Sequence, residues 1–137
     1  TGVAPFRGFL QERSLRQAPG KNWLFFGERN RATDFFYEDF FDLLVAEQKL
    51  HLDLAFSRDQ AEKMYVQHKM QEKSRQLWEW IQAGAMLYIC GEKEPMAAEV
   101  EATLLSIFEQ EGGLVPLESR NFLKQLRLEK RYLIDVY

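Results

Sequence analysis

Ala85-Met86-Leu87-Tyr88-Ile89-Cys90-Gly91 is apolar at nearly every position and closes on a glycine. A continuous apolar run of this length is the pattern of a strand buried on both faces, as strands of a parallel sheet are. Both of its flanks read as helix. Upstream, Met70, Leu77, Trp78 and Ile81 recur at helical spacing, which predicts one helix from Val66 to Gln82 that Gly84 stops. Downstream, Pro95 opens a helix with Val100, Leu104, Leu105 and Phe108 on its inner face, and Gly112-Gly113 ends it.

The same alternation extends to both ends of the chain. Toward the amino end, Asn22-Trp23-Leu24-Phe25-Phe26-Gly27 is a second near-continuous apolar strand, set off by the turn Ala18-Pro19-Gly20-Lys21. Thr33-Asp34 can cap one helix running through Phe35, Phe36, Phe40, Leu43 and Leu44, and a strand follows from Leu50 to Phe56. Toward the carboxyl end, a helix from Leu117 to Lys130 leads into a strand from Tyr132 to Tyr137. The chain starts with Thr1-Gly2-Val3-Ala4-Pro5-Phe6-Arg7, a glycine turn running straight into a helix whose first turn suits Pro5. Strands alternating with helices predict an α/β fold, a doubly wound parallel sheet in a single domain over residues 1–137. Only four strands are legible where five would be regular.

Composition narrows the function. The 137 residues, 46% of them hydrophobic, suffice for one sizeable core. A net charge of −3 removes the basic footprint of a nucleic-acid binder. One cysteine, Cys90, excludes an internal disulfide, and no apolar run approaches the ~20 residues of a membrane helix. The expectation is a soluble, cytoplasmic protein with neither nucleic acid nor membrane as partner. Cys90, His51 and His68 are too scattered to form a tetrahedral metal set, so no metal is expected. Trp78 and Trp80, two apart on a helix, read as packing residues on different faces.

In open α/β sheets ligands bind beyond the carboxyl ends of the strands, so the loops leaving strands carry the candidate chemistry. In Gly27-Glu28-Arg29-Asn30-Arg31, two arginines follow a buried strand and suit a pyrophosphate. In Ser57-Arg58-Asp59-Gln60-Ala61-Glu62-Lys63-Met64-Tyr65-Val66-Gln67, a hydroxyl, a guanidinium, an ammonium and a phenol suit a phosphate monoester beside an aromatic base. An arginine there, where sites for the unphosphorylated cofactor carry an acid, points to NADPH over NADH. Solvated, helix-capping loops account equally well for both segments. Cys90 ends a buried strand, where free cysteines most often serve as small hydrophobes. The Thr1-Gly2 turn gathers N–H groups at a helix start and suits phosphate, though a plain capping turn uses the same residues.

Taken together, Thr1–Arg7, Ser57–Gln60 with Lys63–Gln67, Tyr88–Gly91 and Arg131–Tyr137 resemble the NADPH-binding domain of the diflavin reductases, in the ferredoxin–NADP reductase superfamily. The match runs in order over essentially the whole chain. Within the family, Trp23–Gly27 and the final Tyr137 are most similar to flavoprotein alpha subunits of NADPH-dependent sulfite reductases.

The resemblance implies that Ser57, Arg58, Lys63, Tyr65 and Gln67 form the 2′-phosphate and adenosine end of an NADPH site, with Met64 and Val66 also binding the cofactor. It places Thr1, Gly2 and Arg29 toward the pyrophosphate, and Gly91, Glu92 and Glu99 along the cofactor. Cys90 and Asp135 match the pair beside the nicotinamide, and Tyr137 matches the terminal aromatic that stacks on FAD and must yield to the nicotinamide. A ring at a chain terminus is cheap to displace. Glu92 and Glu99 stand where the family commonly has aspartate, which lengthens both arms. The family's catalytic hydroxyl lies on its FAD-binding domain, outside this chain.

The implied function is hydride transfer from NADPH to FAD, with electrons passing through FMN to a sulfite-reducing haemoprotein subunit. The FAD-binding domain of the same polypeptide is the other implied partner. A diflavin reductase serving another haem acceptor, and a nucleotide-binding module without redox activity, are the alternatives. The family's strand order is 3-2-1-4-5, in which the four legible strands leave out the central first one. Thr1 is therefore expected to be an excision point, and the isolated chain is expected to be inactive.

Overall fold

A computed structural model describes residues 3–137, so the expectations placed on Thr1 and Gly2 lie outside the described residues. The chain is mixed α/β and divides into two compact units, one up to Lys69 and the other from Met70 onward.

In the first unit, helix α1 (Ala4–Leu15) carries Pro5 in its first turn, and the N–H groups of Phe6 and Arg7 both donate to Val3 O at 3.0 and 3.2 Å. Strand β1 (Trp23–Glu28) pairs in parallel with β2 (His51–Phe56), in register from Trp23↔His51 to Glu28↔Phe56. Alternation sorts the β1 side chains. Leu24 and Phe26 are buried in a cluster with Val3, Leu10, Phe41 and Leu44. On the other parity, Trp23 stacks on Phe25 at 4.9 Å, and its indole N–H donates to Asp53 Oδ2 at 2.7 Å.

The helix expected between these strands is two helices, α2 (Arg31–Asp34) and α3 (Glu38–Ala46), separated by Tyr37 at φ +63°. Two interactions account for the break. Asp34 Oδ2 accepts from Asn30 N at 2.9 Å and closes α2 on itself instead of capping a longer helix. Phe35 then turns into the core, with ring centroids 5.3 Å from Phe26 and 5.5 Å from Phe56. Burying a phenylalanine is worth about 1.5–3 kcal/mol, which outweighs the roughly 1–2 kcal/mol of a left-handed residue.

In place of the single helix expected over 66–82 stand α4 (Val66–Glu72) and α5 (Ser74–Gln82), interrupted at Lys73 with φ −107° and ψ 22°. Beyond Gly84, at φ +100°, β3 (Leu87–Gly91) pairs in parallel with β4 (Tyr132–Val136), with Leu87↔Tyr132, Cys90↔Asp135 and Gly91↔Val136 in register. A wide turn, Lys93–Ala97, holds Glu94 extended, so α6 (Ala98–Gly112) begins three residues after Pro95, the expected start. Gly113 at φ +66° ends α6, and α7 (Pro116–Leu128) starts with Glu118 Oε1 accepting from Val115 N at 3.0 Å. The break before α5 lets Gln71 and Ser74 bond to Gln110 and Glu111 near the end of α6, at 2.5 and 3.0 Å.

The core of the second unit joins Leu77 and Ile81 of α5 to Val100, Leu104, Ile107 and Phe108 of α6. Ile107 is fully buried, while Leu105, expected inward, is only half-buried. Trp78 packs against Phe108 and Phe122 and lies over Gly112, where a Cβ would come within 2.6 Å of its ring. Tyr132 ties β4 to the helices. Its hydroxyl donates to Glu101 Oε1 at 3.1 Å, Arg127 pairs with the same carboxylate, and the Arg127 guanidinium lies 5.0 Å from the tyrosine ring centre. Burial, then the Glu101 charge and hydrogen bond, push the Tyr132 hydroxyl up to about 12.

Candidate functional site

At the carboxyl ends of β1 and β2, the two candidate loops are sewn together. Ser57 N donates to Glu28 O at 2.9 Å, and Arg58 N to Arg29 O at 2.8 Å, so the parallel pairing continues past both strands. Asp59 then bridges back, accepting from Asn30 Nδ2 and Arg31 N, both at 3.1 Å. Gln60 Nε2 donates to Phe56 O at 2.7 Å. Two separate polar loops thus become one platform.

The cations of this platform divide into two kinds. Arg31 is engaged, with Nε and Nη2 on Glu38 Oε1 at 3.0 and 2.6 Å and its guanidinium 5.3 Å from the Phe35 ring centre. Arg29, Arg58 and Lys63 are exposed, and their side chains have no hydrogen bond or ion pair among the described residues. Three uncommitted cations around one sewn loop pair can hold a polyanion.

The rest of the second loop leads into α4. Met64 is half-buried, and Tyr65 is 41% exposed at the entry to the helix. Val66 packs over Gly27, where a Cβ would stand 2.7 Å from Val66 Cγ2; the glycine therefore lets the start of α4 approach the end of β1. Gln67 follows on the first turn of α4, half-buried.

At the carboxyl ends of β3 and β4, Cys90 and Asp135 are register partners on adjacent parallel strands, which places them on one face of the pair. Cys90 is a free, half-buried thiol, and Asp135 is exposed. Burial and then the Asp135 carboxylate push the Cys90 thiol up, so it stays protonated at neutral pH. Gly91 is buried at φ +137°, and a Cβ there would come within 2.8 Å of Met96 Cε. The positive φ makes any other residue there strained.

Tyr137 has two environments in one residue. Its ring is 74% exposed, while its N–H donates to Gly91 O at 3.1 Å and its O accepts from Lys93 N at 2.9 Å. Displacing this ring is therefore a rotation about side-chain bonds, with the backbone held in place. Glu92 is exposed where the chain leaves β3, and Glu99 is exposed in the first turn of α6.

The structure thus groups Arg29, Ser57, Arg58, Lys63, Tyr65 and Val66 in the first unit, and Cys90, Gly91, Asp135 and Tyr137 in the second. Sequence reasoning assigned nothing to Asn30 and Asp59, which set the shape of the first group. Their only sequence signal is short polar side chains directly before helix or turn starts. A cleft of about 490 Å³ lies at the opposite, amino ends of β1 and β2, beside Arg13, Asn22, Lys49 and His51, away from every candidate residue. Among the described residues no cluster of histidine, cysteine and carboxylates suits a metal ion, and no helix is long and apolar enough to cross a membrane.

Comparison with known proteins bears on the family of the chain. Residues 1–102 match the family model described as the oxidoreductase NAD-binding domain. Over all of this chain, the sulfite reductase [NADPH] flavoprotein alpha-component of Mannheimia succiniciproducens is 51% identical, and those of Pectobacterium atrosepticum and Escherichia coli are 50% and 48% identical. The match covers 23% of each of these relatives, so the chain spans about a quarter of their length. With three quarters of its length matched by the family model, the chain belongs to the oxidoreductase NAD-binding domain family.

Proposed function

We propose that the chain is the NADPH-binding part of a flavoprotein that moves hydride from NADPH to FAD and passes the electrons through FMN to a sulfite-reducing haemoprotein. When bound, NADPH supplies the hydride and FAD accepts it. The observation that carries the reading is the in-register pairing of Cys90 with Asp135 at the carboxyl ends of β3 and β4. An exposed carboxylate beside an uncharged thiol suits a nicotinamide ring that gains positive charge as hydride leaves.

Asp135 stabilises that developing charge, and Cys90 packs against the ring without adding a charge of its own. Arg58 and Lys63 take the 2′-phosphate with Ser57, Tyr65 stacks on the adenine, and Gln67 lies beyond it. Arg29 takes the pyrophosphate, with Thr1 and Gly2. The uncommitted state of the three cations fits these anions. Tyr137 covers the flavin by its exposed ring and clears it by rotation. Glu92 and Glu99 flank the nicotinamide side.

In the order 3-2-1-4-5, β2, β1, β3 and β4 are strands 3, 2, 4 and 5, and both observed pairings are neighbours in it. The identity to sulfite reductase alpha-components supports reading the haemoprotein subunit and the FAD-binding domain as partners, and residues 1–137 as one nucleotide-binding domain.

The test is Asp135→Ala in the intact flavoprotein. Stopped-flow reduction of the flavin by NADPH is expected to slow by roughly a hundredfold, the scale of losing one charge-stabilising group. An unchanged rate contradicts the proposal.

A further inference from the structure

Tyr65 ends the loop that carries Ser57, Arg58 and Lys63, and a side chain three residues on holds its backbone. The Tyr65 N–H donates to His68 Nδ1 at 2.8 Å, while His68 N and Lys69 N donate back to Tyr65 O at 3.0 and 3.4 Å. Both peptide groups of Tyr65 are therefore engaged by the turn that follows it. The two rings also lie together, with centroids 5.6 Å apart and planes 33° from parallel. A side chain at the third helical position that bonds back to the N–H of the preceding cap is half of a capping box, a place usually filled by Glu or Gln. Here an imidazole fills it, and an imidazole that accepts at Nδ1 carries its proton on Nε2.

This arrangement matters because the Tyr65 ring is itself exposed. A side chain at the surface is otherwise free to take several rotamers, and binding must then order it. We propose that His68 is a positioning residue for the adenosine end of the bound nucleotide, holding Tyr65 by its N–H and against its ring so that the phenol face is preset for the adenine. The inference rests on the NADPH reading of this loop and adds to it a residue that touches neither phosphate nor base.

The test uses the intact flavoprotein and 2′,5′-ADP, which carries the adenosine and 2′-phosphate without the nicotinamide half. In His68→Ala, the Kd for 2′,5′-ADP by calorimetry is expected to rise roughly threefold to tenfold, the worth of one hydrogen bond. KM for NADPH should rise in the same proportion with kcat unchanged. His68→Asn, whose Oδ1 stands where Nδ1 stood, is expected to restore most of the affinity. His68→Ala binding as tightly as the parent, losing kcat along with KM, or matching His68→Asn in weakness overturns the positioning role alone. A parent protein that does not bind 2′,5′-ADP overturns the NADPH reading, and this inference with it.

Discussion

The two parallel strand pairs end in opposite ways. Beyond β1 and β2, two loops are cross-linked by backbone bonds and by Asp59, and they present Arg29, Arg58 and Lys63, whose side chains have no hydrogen bond or ion pair among the described residues. At the ends of β3 and β4 stand a buried glycine, one thiol, one carboxylate, and a tyrosine held by its backbone. In the proposed reading the first end grips the large anion and the second sets a carboxylate beside the developing cation, so that binding and chemistry are separated between two ends and each can be removed without the other.

The arginines sharpen this contrast. Arg127 and Arg131 in the second unit are occupied, Arg127 by Glu101 and the Tyr132 ring, Arg131 by Ile81 O and Ala85 O at 2.6 and 3.2 Å. Among the described residues, the side chains of Arg29 and Arg58 at the β1–β2 end have no such partner. Arg58→Ala should therefore weaken NADPH binding by about 1.5–3 kcal/mol, the worth of hydrogen bonds to a charged group, and leave NADH binding nearly unchanged. Equal losses for the two nucleotides, measured by titration, would break the contrast.

A smaller effect is expected where the structure spends its polar groups on packing. Tyr132→Phe removes the bond to Glu101 and should cost about 1 kcal/mol, read as a lower thermal midpoint, with nucleotide affinity unchanged. The pH dependence has a definite sign. Because the folded-state value of this hydroxyl lies above its ordinary 10, at about 12, its contribution is complete below about pH 10 and disappears as pH rises through about 12. The parent should lose stability across that alkaline window more steeply than Tyr132→Phe.

The smallest effect concerns Cys90. Burial is the main reason its thiol is held up, and Asp135 adds to it. Replacing Asp135 by Asn should raise the rate of Cys90 alkylation at pH 8 by a few-fold, since the thiolate is the reactive form. No change would mean that the register pairing brings the two groups less close electrically than proposed.

Much of this arrangement is legible in the sequence, and the failures share a cause. The strands are readable because Trp23–Gly27 and Leu87–Gly91 are uninterrupted apolar runs closed by glycine. Two helices were expected where four occur, since neither break carries a glycine or proline. Tyr37 adopts its left-handed conformation because Phe35 is drawn into the ring cluster, and Lys73 interrupts its helix where Gln71 and Ser74 bond across to α6. Such contacts are tertiary, and apolar spacing continues smoothly through both breaks. In the site, arginine and lysine announce themselves in strand-exit loops. Asp59 does not, because a carboxylate among mixed charges looks solvated until the Asn30 loop is folded beside it. His68 is silent for a similar reason: histidine is not the residue expected to close a capping turn.

Stopped-flow flavin reduction over a range of NADPH concentrations, run on the intact flavoprotein carrying Arg58→Ala or Asp135→Ala, tests the separation most directly. Arg58→Ala should raise the half-saturating NADPH concentration at least tenfold with the limiting rate intact, and Asp135→Ala should lower the limiting rate roughly a hundredfold with half-saturation little changed. Both variants altering both parameters alike would contradict a division of labour between the two strand ends.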